Sequence, residues 1–122
     1  MGAEVVEVGR RKRELPPPPW VVWESLANPR RPQARPWLVL LDDEREPRIL
    51  GTEKNKLVVW SSLWPSTPAV LIHFELASKG SAGTSLTWTL TSPHKVSDRA
   101  VEHQRERLNQ LVWADLRFSY GE

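Results

Sequence analysis

The chain has 122 residues, of which 39% are hydrophobic and 26% charged with both signs interspersed; that suits one core in a single domain over 1–122 and is not a disordered composition. It contains no cysteine, which excludes disulfides, thiolate nucleophiles and cysteine-held zinc or iron–sulfur centres and fits a cytoplasmic, reducing setting. Net charge is +2 with a pI of about 9.3; no apolar run approaches the roughly 20 residues of a membrane span, and the first residues lack the apolar core of a secretion signal.

Glu4–Arg13 (EVVEVGRRKR) opens on a β-branched run with Val6 and Val8 on one face and closes on consecutive cations, the pattern of an edge strand. Pro16–Pro19 stop it, and the last of these prolines suits the first turn of a helix. Trp20, Trp23 and Ala27 then recur at helical spacing with Leu26 beside them, which predicts a short helix over 19–28 closed by Asn28 and Pro29. Pro29–Pro36 mixes prolines with arginines and reads as a polar crossover.

Trp37–Leu41 (WLVLL) is a short apolar run whose length predicts a strand. Asp42–Pro47 reads as an acidic turn and Arg48–Thr52 as a brief return strand. Leu57–Leu63, Ala69–Ala77 and Thr84–Ser92 follow as three strands of an antiparallel meander with short turns. Alternation sets Leu86, Trp88 and Leu90 on one face and Ser85, Thr87, Thr89 and Thr91 on the other. Val70, Ile72, Phe74 and Leu76 form the matching face of the strand before, with His73 and Glu75 outward.

From Ser97 to about Phe118 the period becomes helical. Ser97 is a good N-cap, and Val96 with Val101 has hydrophobic-staple spacing. Val101, Leu108, Leu111 and Val112 form the apolar stripe; Glu102, Arg105, Glu106 and Arg107 form the charged face. A helix of about 20 residues, roughly 30 Å long, is the element able to cover the apolar side of the meander, so the predicted class is α+β.

Three segments carry a family resemblance: Pro18–Pro29 (PPWVVWESLANP), Gly83–Leu90 (GTSLTWTL) and Ser97–Tyr120. Their order resembles the helix-grip fold of the START and birch-pollen-allergen superfamily, whose bacterial members include polyketide cyclase/dehydrase-like (SRPBCC) proteins. The resemblance implies an antiparallel sheet wrapped around the long C-terminal helix, with a pocket for a hydrophobic small molecule between them and no shared catalytic residues. The chain departs from the family in being shorter, and in having Pro29–Pro36 where a second small helix usually lies.

Trp23, Trp60, Ile72, Phe74, Trp88, Leu90, Leu108 and Val112 converge under that packing and are the candidate ligand-binding residues. The same residues also make a filled core. An empty cavity of about 300 Å³ costs about 7 kcal/mol at roughly 24 cal/mol per Å³, against a typical total stability of roughly 5–15 kcal/mol; the two readings stay open. His73, His94 and His103 have no metal-ligand spacing beyond the weak His103/Glu106 pair, so no metal or cofactor is predicted. Gly80 and Gly83 precede a strand and mark a hairpin, not a phosphate loop.

Arg10–Arg13 and Arg30, Arg31 and Arg35 are basic clusters near Trp20 and Trp37, but interspersed carboxylates dilute them and make nucleic acid the weaker reading. Trp113 beside the helical stripe and Trp64 at a proline turn suggest exposed aromatic surface and hence a homodimer or another protein partner. The preferred function is a binding domain for a small apolar or amphipathic ligand. Its alternatives are a cyclase/dehydrase-type enzyme, disfavoured because the inward strand faces carry few titratable groups, and a chaperone-activator-like interaction module.

Overall fold

The structure is a computed structural model that describes residues 5–32, 35–80 and 82–121. Strand β1 (Val6–Leu15) leads into helix α1 (Pro19–Ala27). Strands β2 (Ile49–Glu53), β3 (Leu57–Trp60), β4 (Leu71–Lys79) and β5 (Gly83–Ser92) follow. Helix α2 (Asp98–Asn109), a wider π-helical stretch (Gln110–Leu116) and the short α3 (Arg117–Ser119) complete the C-terminal helical rod. The strands form one antiparallel sheet in the order β1-β5-β4-β3-β2. This is the expected α+β helix-grip architecture, with the rod and α1 packed on one face of the sheet.

Local chemistry accounts for the element ends. Pro19 occupies the first position of α1, where its missing N–H costs nothing, and Asn28 ends the helix before Pro29. Ser97 caps α2 by accepting from the Ala100 amide at 3.2 Å. In the β4–β5 hairpin Gly80 takes a positive φ of 63°, which glycine adopts without steric cost. Alternation in β4 and β5 sends Ile72, Phe74, Leu86, Trp88 and Leu90 into the core, as the period-two pattern predicts.

The π-helical stretch solves a packing conflict written in the sequence. Continuing the Leu108, Leu111, Val112 stripe at α-helical spacing puts Asp115 on the core face. A wider turn lets Leu116, five residues after Leu111, take that position and lie fully buried, while Asp115 is only half-buried. Burial still holds the Asp115 carboxyl above its usual range, opposed by the Arg107 charge 3.8 Å away.

The structure corrects four sequence expectations. Trp37–Leu41 forms no strand: the Val39 amide folds back on the Trp37 carbonyl at 3.2 Å, and the next two carbonyls accept from arginines instead of a ladder. Arg30 Nη1 donates to the Leu38 carbonyl at 2.6 Å and Arg107 Nη2 to that of Val39 at 2.6 Å. Arg107, expected on the charged face of the helix, is only 4% exposed. Trp64, expected at the surface, is buried as well. The expected strand over 57–63 is shorter, ending at Trp60, because Ser61–Trp64 turn inward to bond among themselves and to Arg48 and Arg45.

Arg107 and His103, one turn apart on α2, grip two consecutive carboxylates of the 41–44 turn. Arg107 donates from Nε and Nη2 to the two Glu44 oxygens at 2.7 and 3.0 Å, and His103 Nε2 lies 2.9 Å from Asp43. Glu44 Oε1 also accepts the Leu41 amide at 2.9 Å. The acidic turn is thus the clasp that docks the crossover segment on the C-terminal rod.

The rod's far end is fixed by Tyr120, which donates to Ser25 Oγ on α1 at 2.9 Å. Burial pushes the phenol up to about 12, opposed by the Ser25 bond and the Arg31 charge. In the unfolded chain it ionises near its ordinary value of 10. The stability gained by burying the neutral phenol is therefore complete below pH 10 and is lost as pH rises from about 10 to about 12. Because the chain has one tyrosine, ultraviolet difference titration reads this directly: the expected midpoint lies near 12, and a midpoint at 10 in folded protein would exclude the buried contact.

Candidate functional site

The candidate ligand-binding residues converge, but as packed core. Trp60, Ile72, Phe74, Leu90, Leu108 and Val112 are buried in one cluster with Trp88. Across the sheet Ile72 faces Trp60 and Leu90, and Phe74 faces Trp88. The Trp60 ring stacks on Trp37 at 6.0 Å and meets Phe74 edge-on at 4.8 Å, and its N–H donates to the Leu26 carbonyl at 2.8 Å. Trp23 sits at the margin, half-buried, donating to the Leu57 carbonyl at 3.1 Å. Aromatic rings therefore occupy the centre of the space between helix and sheet.

What stays open is a groove of about 440 Å³ along one side of that interface, between α2 and the β1–β5 edge. Arg11 and Trp88 are opposite one another in the β1–β5 register, so both lean to the helix side. The helix contributes Asp98, Val101, Glu102, Arg105, Glu106 and Asn109. Starting from Asp98 these recur at i+3, i+4, i+7, i+8 and i+11, one continuous helical face beside the buried stripe. Gly9 permits the close approach here: a Cβ on it would lie 2.8 Å from Arg105 Cγ.

The groove combines a narrow apolar floor with a charged rim. Trp88 and half-buried Val101 form the floor, while Arg11, Asp98, Glu102, Arg105 and Glu106 are exposed along the walls. Among the described residues, the indole N–H groups of Trp37, Trp64 and Trp88 are buried without an acceptor; of these side chains, Trp88 lines this groove. An unmet buried donor costs about 1–3 kcal/mol. Sequence reasoning found Trp88 and missed the other groove residues, although the spacing from Asp98 to Asn109 marks them as one face.

The remaining candidates are dispersed. His73 Nε2 lies 3.0 Å from Thr91 Oγ1 on the outer sheet face, away from the helix. Among the described residues, no group of three or more His, Cys, Asp or Glu side chains is placed to hold a metal ion, and no helix is long and apolar enough to cross a membrane. The two arginine clusters bind separate partners: Arg10 with Glu7, Arg30 with Glu46, Arg31 with Glu24, and Arg35 with the Phe118 carbonyl. Trp113 is half-buried between the Arg13 and Arg117 guanidinium groups, 4.9 and 4.4 Å from its ring centre.

No protein-family model and no curated protein matches the chain. Solved structures do. The crystal structure of CalU16 from Micromonospora echinospora superposes with a TM-score of 0.64 at 16% identity, covering 89% of this chain and 82% of that one. The solution structure of an AHSA1-like protein from Rhizobium etli gives 0.55 at 17% identity, covering 91% and 82%. The order of elements, the single antiparallel sheet and these two likenesses give the chain the helix-grip fold.

Proposed function

We propose that the chain binds a small amphipathic ligand in the groove between the C-terminal helix and the β1–β5 edge. The observation that carries this reading is the open groove of about 440 Å³ lined by Trp88 and Val101, with the Trp88 indole N–H buried and without an acceptor among the described residues. A flat ring system laid over Val101 and Trp88, with a carbonyl or hydroxyl oxygen toward that N–H, meets both the apolar floor and the orphan donor. Ligand hydroxyls then meet the carboxylates of Asp98, Glu102 and Glu106, and ligand oxygens meet Arg11 and Arg105.

The other expected pocket residues support this site from behind. Trp60, Ile72, Phe74, Leu90, Leu108 and Val112 share one buried cluster with Trp88, and Trp23 packs against that cluster. The groove carboxylates are exposed and share their surroundings with two guanidinium groups, which favours recognition of polar substituents over proton transfer and sets a binding role ahead of a cyclase/dehydrase-type enzyme.

A protein-interaction role has one observation in its favour: Trp20 on α1 is 55% exposed and borders a second open groove with Leu57 and Leu76. Titration with a flavonol separates the two. Quenching of tryptophan emission that Val101→Glu weakens about tenfold, with the thermal midpoint held, supports the groove. A wild-type chain that gives no quenching, or a variant that binds as well as wild type, overturns it.

A further inference from the structure

The sheet has two open edges, β1 and β2, and they differ in their chemistry. β1 carries Arg10, Arg11, Lys12 and Arg13 in succession. Antiparallel pairing of this strand with itself sets cation against cation, which is destabilising, so this edge is protected against a second copy. β2 is short, and both Ile49 and Leu50 are exposed.

We propose that β2 pairs with β2 of a second copy of this chain, antiparallel about a two-fold axis, joining the two sheets. The strand is self-complementary in that arrangement. With the axis between Leu50 and Gly51, Arg48 stands opposite the partner's Glu53 and Ile49 opposite the partner's Thr52. Arg48 and Glu53 are both exposed, and the Glu53–Lys56 contact of 3.8 Å is long and solvated, so it competes weakly.

The irregularity of β2 fits the same axis. The register shifts between Ile49 and Gly51, leaving Leu50 out of step with β3. In the pair Leu50 faces the partner's Gly51, and the position where a Cβ of Gly51 would stand has nothing within 4 Å. That space receives the leucine side chain. Backbone N–H and C=O groups on the outer side of each strand supply the rest of the attraction. The surface is independent of the ligand groove, which lies at the opposite edge of the sheet.

Sedimentation equilibrium over the micromolar to millimolar range tests this. Wild type is expected to form a reversible dimer. Arg48→Glu and Glu53→Arg each set like charges opposite one another twice across the axis and are expected to weaken it about tenfold. The double variant, with the charges exchanged, is expected to recover most of the wild-type affinity, which separates pairing from damage to the fold. A wild type monomeric throughout, or a double variant no better than the single ones, overturns the proposal.

Discussion

Replacing Arg107 with methionine is expected to cost about 3–5 kcal/mol of folding stability, a fall in thermal midpoint of roughly 12–20 °C for a chain of this size. The side chains of Arg107 and Glu44 are 3% and 0% exposed, so the substitution strands a buried carboxylate. It also leaves the Val39 carbonyl without its 2.6 Å donor. The two defects act on one element, because Glu44 fixes the turn that starts at Leu41 and Arg107 fixes the turn to α2. A second substitution, Glu44→Leu in the Arg107→Met background, removes the stranded charge and is expected to recover about half of the loss. Thermal unfolding of the two variants and of Glu44→Leu alone closes the cycle. Additive effects would contradict the clasp.

The second large effect is expected at Trp60. Its ring is fully buried against Trp37 and Phe74, and its N–H satisfies the Leu26 carbonyl in the last turn of α1. Trp60→Ala is expected to cost about 3–5 kcal/mol through the cavity it opens. Trp60→Phe retains most of the packing and is expected to cost about 1–3 kcal/mol through the unpaired carbonyl. Equilibrium denaturation in urea measures both, and the slope with denaturant should stay at the wild-type value. Equal stability of the alanine and phenylalanine variants would mean that the centre is not close-packed.

Signals that depend on neighbours in sequence were legible in it. Period-two alternation in β4 and β5, the proline start of α1, the Ser97 cap and the glycine hairpin all became the structures their residue types favour. Their order was enough for the helix-grip architecture. What the sequence hid depends on partners far along the chain. Arg107 reads as one more cation on a charged face, and its burial is made tolerable by Glu44, 63 positions away, and by the Val39 carbonyl. Trp37–Leu41 reads as a strand because its apolar run is short and continuous, yet arginines at 30 and 107 bond its carbonyls in place of a ladder.

The candidate site was legible in part for the same reason. Convergence of Trp60, Phe74 and Trp88 followed from the alternation, whereas the space left between them is a volume difference of a few side chains that no pattern encodes. Trp37 turns inward and stacks on Trp60, and Trp64 joins the same buried cluster. The opening was displaced to the β1 side, where Gly9, Arg11 and the Asp98–Asn109 face meet.

The central claim, that a ligand lies over Trp88 and bonds its orphan indole N–H, is tested most directly by a nitrogen–proton correlation spectrum recorded during titration with the flavonol. The chain's seven tryptophans give separate indole signals, and Trp88→Phe identifies the one required. The Trp88 signal is expected to move downfield and saturate while that of Trp60, already bonded to Leu26, stays in place. A saturating titration that shifts the Trp20 signal and leaves Trp88 unmoved would contradict it.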